Sequence, residues 1–67
     1  MAVMKAPLRQ SIGNGDTVKV REFGPIPEFV GTVNEHTGNI FKVRRLSDST
    51  LWHRNLRDLT LIKKAGT

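Results

Sequence analysis

The 67-residue chain predicts an all-β fold, a small five-stranded and partly open barrel with one 3₁₀ turn before its last strand. Three observations point there. Apolar and polar residues alternate in short stretches, as in Val18-Lys19-Val20 and Phe41-Lys42-Val43. A period of two belongs to a sheet with one face buried and the other solvated. Turn-forming residues interrupt these stretches about every 8–12 residues, the spacing of a small sandwich or barrel. Five strands in so short a span cannot build two large sheets, and a strongly bent, partly open barrel is what remains.

Residues 1–14 follow neither the helical nor the strand period, and Pro7 and Gly13 interrupt them. They read as an N-terminal arm charged by Lys5 and Arg9, either flexible or ordered along a nucleic acid. The barrel proper is assigned to residues 15–62. Gly15-Asp16 opens a first strand, Thr17 to Glu22, with Val18 and Val20 on one face and Thr17, Lys19 and Arg21 on the other. The segment from Phe23 to Glu28 holds Pro25 and Pro27, which cannot pair inside a central strand, so it is a loop. Its apolar residues either close one end of the barrel or stand out as a docking knob.

Phe29 to Glu35 makes a second strand, in which Gly31 marks a sharp bend or a close backbone approach. His36-Thr37-Gly38-Asn39 is a turn with Gly38 free to take positive φ. A third strand runs from Ile40 to Leu46, with Phe41 and Val43 on one face, Lys42 and Arg44 on the other, and Arg45 near its end. Ser47-Asp48-Ser49 turns the chain again through side-chain to backbone hydrogen bonds. Thr50 to His53 is a fourth strand. Arg54 to Asp58 breaks the alternation at a length suited to one 3₁₀ turn, before a fifth strand from Leu59 to Ile62. Residues 63–67 form a basic tail.

Composition narrows the function. Lysine and arginine number 11 against 6 acids, a net charge of +5, which favours a phosphate-rich or acidic partner. Cysteine is absent, so neither disulfides nor thiolate metal sites arise, and a chain this short buries a thin core. No apolar run approaches the roughly 20 residues needed to span a bilayer, and the opening MAVMKAPL is not a signal peptide. The expected location is intracellular, cytoplasmic or chromosome-associated, and nuclear in a eukaryote, or else within a virus-like particle.

The order of these motifs resembles the SH3-like barrel superfamily, which includes Tudor, KOW and integrase C-terminal domains. The nearest pattern is the DNA-binding C-terminal domain of retroelement integrases. The residues that carry it are Gly15-Asp16-Thr17-Val18-Lys19-Val20-Arg21, then Gly24-Pro25-Ile26-Pro27, then Gly31-Thr32-Val33. Phe41-Lys42-Val43 stands for the aromatic strand, and Leu51 to Leu59, around Trp52, for the close. About two-thirds of the chain is covered. The hairpin turn reads Asp48-Ser49-Thr50 where the family often has Asp-Gly, and Asn55 falls where a histidine is common. The resemblance implies a small barrel, a DNA partner and an origin in a mobile element or virus. No catalytic integrase core is present, so strand transfer is not implied.

No constellation for catalysis emerges, and the chain reads as a non-enzyme without cofactor. His36 and His53 are far apart with no cysteine near, a poor zinc set. Ser47, Asp48 and His53 have the types of a nucleophile, acid and base, but belong to a turn. Gly13-Asn14-Gly15 precedes no helix and is not a phosphate loop. Asp16, Glu22, Glu28 and Glu35 read as scattered surface charges.

What stands out is a cationic set suited to phosphate: Lys19, Arg21, Lys42, Arg44, Arg45, Arg54, Arg57, Lys63 and Lys64. Trp52 lies among them, either stacked on a base or buried in the core. The expected function is backbone-dominated nucleic-acid binding of low sequence preference, DNA favoured over RNA. The competing expectation is a small adaptor or inhibitor that docks on a protein through Phe23, Pro25, Ile26, Pro27 and Phe29. Arginines paired to acids would favour the second. The chain is expected to be a monomer or a weak homo-oligomer through an open barrel edge.

Overall fold

A computed structural model describes residues 12–66. Lys5 and Arg9 of the N-terminal arm lie outside them, as does Thr67 at the end of the tail. Five strands form one antiparallel sheet: β1 Thr17–Val20, β2 Phe29–Thr37, β3 Ile40–Arg45, β4 Leu51–Asn55 and β5 Leu59–Lys63. A 3₁₀ turn, Leu56–Asp58, sits between β4 and β5. The order across the sheet is β4-β3-β2-β1-β5, and β4 and β5 do not meet, so the sheet stays open.

Register turns the alternation into two faces. Val18 lies opposite Gly31 and Val20 opposite Phe29. Val33 faces Val43 and His36 faces Phe41 across β2 and β3. Leu61 and Leu59 complete these rows on β5. The apolar members point inward, where Val18, Val20, Val33, Phe41, Val43 and Leu59 form one buried cluster together with Ile12, while His36 stays exposed at the end of its row. Each such side chain contributes about 1.5–3 kcal/mol through burial. Among the described residues, packing thus includes Ile12, ahead of the Gly15 that opens the alternation.

Strand ends shift for identifiable reasons. β1 ends at Val20, which pairs with Phe29, the first residue of β2; beyond it the ladder goes on along β5, where the Arg21 N–H donates to the Asp58 carbonyl at 3.0 Å. β2 continues to Thr37, since His36 and Thr37 still pair with Phe41 and Ile40 beyond a bulge between Val33 and Glu35. Gly31 is a close approach: a Cβ there would lie 2.5 Å from the Arg44 carbonyl oxygen and 2.7 Å from Val43 Cγ1. In the β3–β4 turn Ser49 takes φ +61°, the left-handed region where glycine is the ordinary choice.

Asp16 corrects the reading of it as a surface charge. It is 1% exposed. Its Oδ2 accepts the Gly13 N–H and Lys64 Nζ, each at 2.8 Å, and its Oδ1 accepts the Ala65 N–H at 2.7 Å. A carboxylate this enclosed is stable only because three donors replace its water. They hold it ionised and lower its pKa to about 2, with Lys64 the largest cause and the Gly13 and Ala65 amides next. The clasp ties the start of the packed body to the basic tail.

Candidate nucleic-acid interface

The face opposite the core carries the cations the alternation placed there. Lys19 lies between Val30 on β2 and Thr60 on β5. In the next row Thr17 pairs with Thr32 and with Lys63, and Thr32 continues to Arg44 and then Leu51. A further row holds Glu35, Lys42 and His53. Lys19, Lys42, Arg44 and Lys63 thus share one surface with the hydroxyls of Thr17, Thr32 and Thr60. Two glutamates answer them: Glu28 is 3.8 Å from Lys19 Nζ, and Glu35 is 2.8 Å from Lys42 Nζ. That contact holds the Glu35 carboxyl below its ordinary range, chiefly through its hydrogen bond to Lys42. Arg44 donates through Nη1 to the Ser49 carbonyl at 2.8 Å, and among the described residues no carboxylate pairs with it.

Arg45, Trp52 and Arg54 lie on the other face. Arg45 stands opposite the inward Gly31, Trp52 opposite Val43, and Arg54 opposite Phe41. At that corner the Trp52 ring meets Phe23 edge-on at 5.8 Å and Phe29 at 5.7 Å. The Arg45 guanidinium lies 5.2 Å from the Phe29 ring centre and 5.1 Å from that of Trp52, and Arg54 lies 3.7 Å from that of Phe23. Cation–π contacts of this kind suit arginine, whose flat, weakly hydrated head stacks well. Each guanidinium is then pinned by a carboxylate. Arg45 binds Asp48 through Nε at 3.1 Å and Nη2 at 2.6 Å, and Arg54 Nη2 reaches the buried Asp58 at 3.0 Å. The Trp52 indole N–H donates to Thr50 Oγ1 at 2.7 Å, and Thr50 in turn donates to Asp48.

Trp52 is therefore half-buried in an aromatic cluster with its donor satisfied. The loop from Phe23 to Phe29 closes over this end. Phe23 and Ile26 exchange backbone hydrogen bonds at 2.9 and 2.8 Å, and Phe23 and Phe29 pack on the core, leaving Pro25 and Pro27 exposed. Arg21 remains 72% exposed but lies 3.8 Å from Asp58, which thereby serves two arginines. Arg57 is exposed on the 3₁₀ turn. Lys64 belongs to the Asp16 clasp.

The ten residues singled out in the sequence thus fall into four groups: an outer-face set, an aromatic–arginine corner, Arg21 and Arg57 at the 3₁₀ turn, and Lys64 in the clasp at the other end of β5. Strand parity held the signal that separates them. Arg45 is out of phase with Arg44 and in phase with Phe41, and Arg54 shares the phase of Trp52. Among the described residues no three metal-ligating side chains come together, and no helix is long and apolar enough to cross a membrane.

No protein-family model matches the chain, and no curated protein or solved structure matches it either. The likeness to integrase C-terminal domains rests on the motif order alone, and residue roles must come from this geometry.

Proposed function

We propose that the chain is a non-catalytic nucleic-acid-binding domain, with DNA favoured over RNA, that grips phosphates on the outer face of its sheet and reads little sequence. One observation carries this reading: Lys19, Lys42, Arg44 and Lys63 share a threonine-bearing surface. Among the described residues Arg44 uses one of its five N–H groups, in the bond to the Ser49 carbonyl, which leaves the others for a phosphate. The glutamates beside Lys19 and Lys42 are no obstacle. Their side chains are 58% and 57% exposed, and exposed ion pairs contribute about 0–1 kcal/mol, which a phosphate can replace. Trp52 takes no part in this reading, and neither do Arg45 and Arg54.

Anisotropy of labelled duplex DNA, titrated at several salt concentrations, tests it. Four phosphate contacts give log K against log[salt] a slope of about −3 to −4. A flat dependence sinks the proposal. Single-stranded DNA and RNA of equal length, run beside the duplex, rank the three ligands.

A protein partner is the second reading, and a specific observation favours it. Arg21, Arg45 and Arg54 are all paired to carboxylates, while Val30, Leu46, Leu51, Ile40 and Ile62 are exposed apolar side chains.

A further inference from the structure

The β4 edge of the sheet carries an inference that rests on the second of these readings and names the partner it would take. Among the described residues β4 has β3 on one side and no strand on the other. The parity of its ladder shows what that open side presents. Arg45 donates to the Thr50 carbonyl at 2.8 Å and Leu56 donates to the Asn39 carbonyl at 3.0 Å, one at each end of the β3–β4 pairing. Hydrogen-bonded pairs alternate with non-bonded ones in an antiparallel ladder. Val43–Trp52 and Phe41–Arg54 are then the pairs that exchange hydrogen bonds. Leu51 and His53, opposite Arg44 and Lys42, therefore turn their backbone N–H and C=O groups outward. Their side chains are exposed on the outer face.

We propose that this edge accepts an added strand from an acidic, extended segment of a partner protein. Backbone hydrogen bonds to Leu51 and His53 would supply affinity, and alternate side chains of the incoming strand would supply selection. Those on the outer face would meet Leu51 and His53 directly, with Arg44 and Lys42 one strand behind. Arg44 is already drawn toward this side by its bond to the Ser49 carbonyl in the turn that leads into β4. An acidic residue opposite Leu51 would reach that guanidinium, and an apolar neighbour would cover Leu51 and Leu46, which are 43% and 58% exposed. Charge decides against a second copy of this chain. Pairing two β4 edges would bring together two sets of Arg44, Lys42 and His53 on a protein of net charge +5.

The test uses the full chain and a labelled peptide of about seven residues that alternates glutamate with valine and threonine, with a lysine-for-glutamate version as control. The wild type should bind the acidic peptide and ignore the basic one. Proline at position 53 removes an outward N–H but no bond to β3, so His53→Pro should lower peptide affinity at least tenfold and leave the DNA salt slope unchanged. Arg44→Glu, which keeps the backbone intact, should reverse the preference toward the basic peptide. Equal peptide binding by wild type and His53→Pro would leave an acidic protein partner but take it off this edge, overturning strand addition. No binding by the wild type at about 1 mM peptide, an affinity under roughly 4 kcal/mol, would overturn strand addition and the protein-partner reading together. A wild-type dimer that His53→Pro dissociates would replace the acidic segment with a second copy.

Discussion

Replacing Asp16 with asparagine removes one negative charge and one acceptor from a site where three donors converge. If the remaining oxygen keeps Gly13 and Lys64, the new amide points at the Ala65 N–H and leaves it without a partner. Hydrogen bonds to a charged group contribute about 1.5–3 kcal/mol each, and making one partner neutral roughly halves them. One bond lost and two halved comes to about 3 kcal/mol at the lower end of these values, the end suited to a site with the exposed Lys64 as a donor. A domain of this size has only about 3–10 kcal/mol in total, and 1 kcal/mol moves its midpoint by about 4–8 °C. Asp16→Asn should therefore lower the thermal midpoint by about 15 °C at pH 7, read by circular dichroism. The pH dependence supplies an internal check. The folded pKa of Asp16 lies below its ordinary 3.8, at about 2, so its stabilisation is complete above pH 4 and is lost as pH falls through 2. The gap between wild type and variant should hold from pH 7 to 4 and close near pH 2. A midpoint within about 3 °C of wild type at pH 7, or a gap that persists at pH 2, would refute the clasp.

Other expectations follow from the same geometry. Gly31→Ala sets a methyl group against the Arg44 carbonyl and Val43, and should cost about 2–3 kcal/mol in urea denaturation. Ser49→Gly relieves a left-handed serine and should raise stability by about 0.5 kcal/mol, so a lower midpoint counts against strain in that turn. Lys42→Ala combined with Arg44→Ala should reduce the DNA salt slope by about 2 while the protein stays folded. Arg45→Ala should do the reverse: the melting midpoint falls as the Asp48, Phe29 and Trp52 contacts go, and the salt slope stays put.

Much of the fold was legible because Val18, Val20, Phe41 and Val43 alternate with charged neighbours, and such a pattern has one stable arrangement, with the apolar set inside. Gly31 carried its meaning in the residue type, since no other side chain fits against a neighbouring carbonyl. Ser49 stands in the turn where the resembling family often has glycine, and it adopts the backbone a glycine would. β4 was harder. Leu51-Trp52-His53-Arg54 places an apolar and a basic residue on each face, so its composition could not say which face is inner. Pairing with β3 decides it. Asp16 was opaque for another reason: two of its three donors, Lys64 and Ala65, are 48 and 49 residues away, beyond any local pattern. The carboxylate partners of Arg21 and Arg54 depend likewise on where the 3₁₀ turn brings Asp58.

The seat of the single tryptophan makes the molecule its own optical gauge. Trp52 touches Phe23, Phe29 and Arg45 on the inner side, away from Lys42 and Arg44 on the reverse of the same sheet. Its emission should shift sharply when the loop from Phe23 to Phe29 lifts away, and hardly at all when an anion settles on the far surface. Unfolding and ligand capture can thus be followed in one cuvette by separate signals, without a dye attached to the protein.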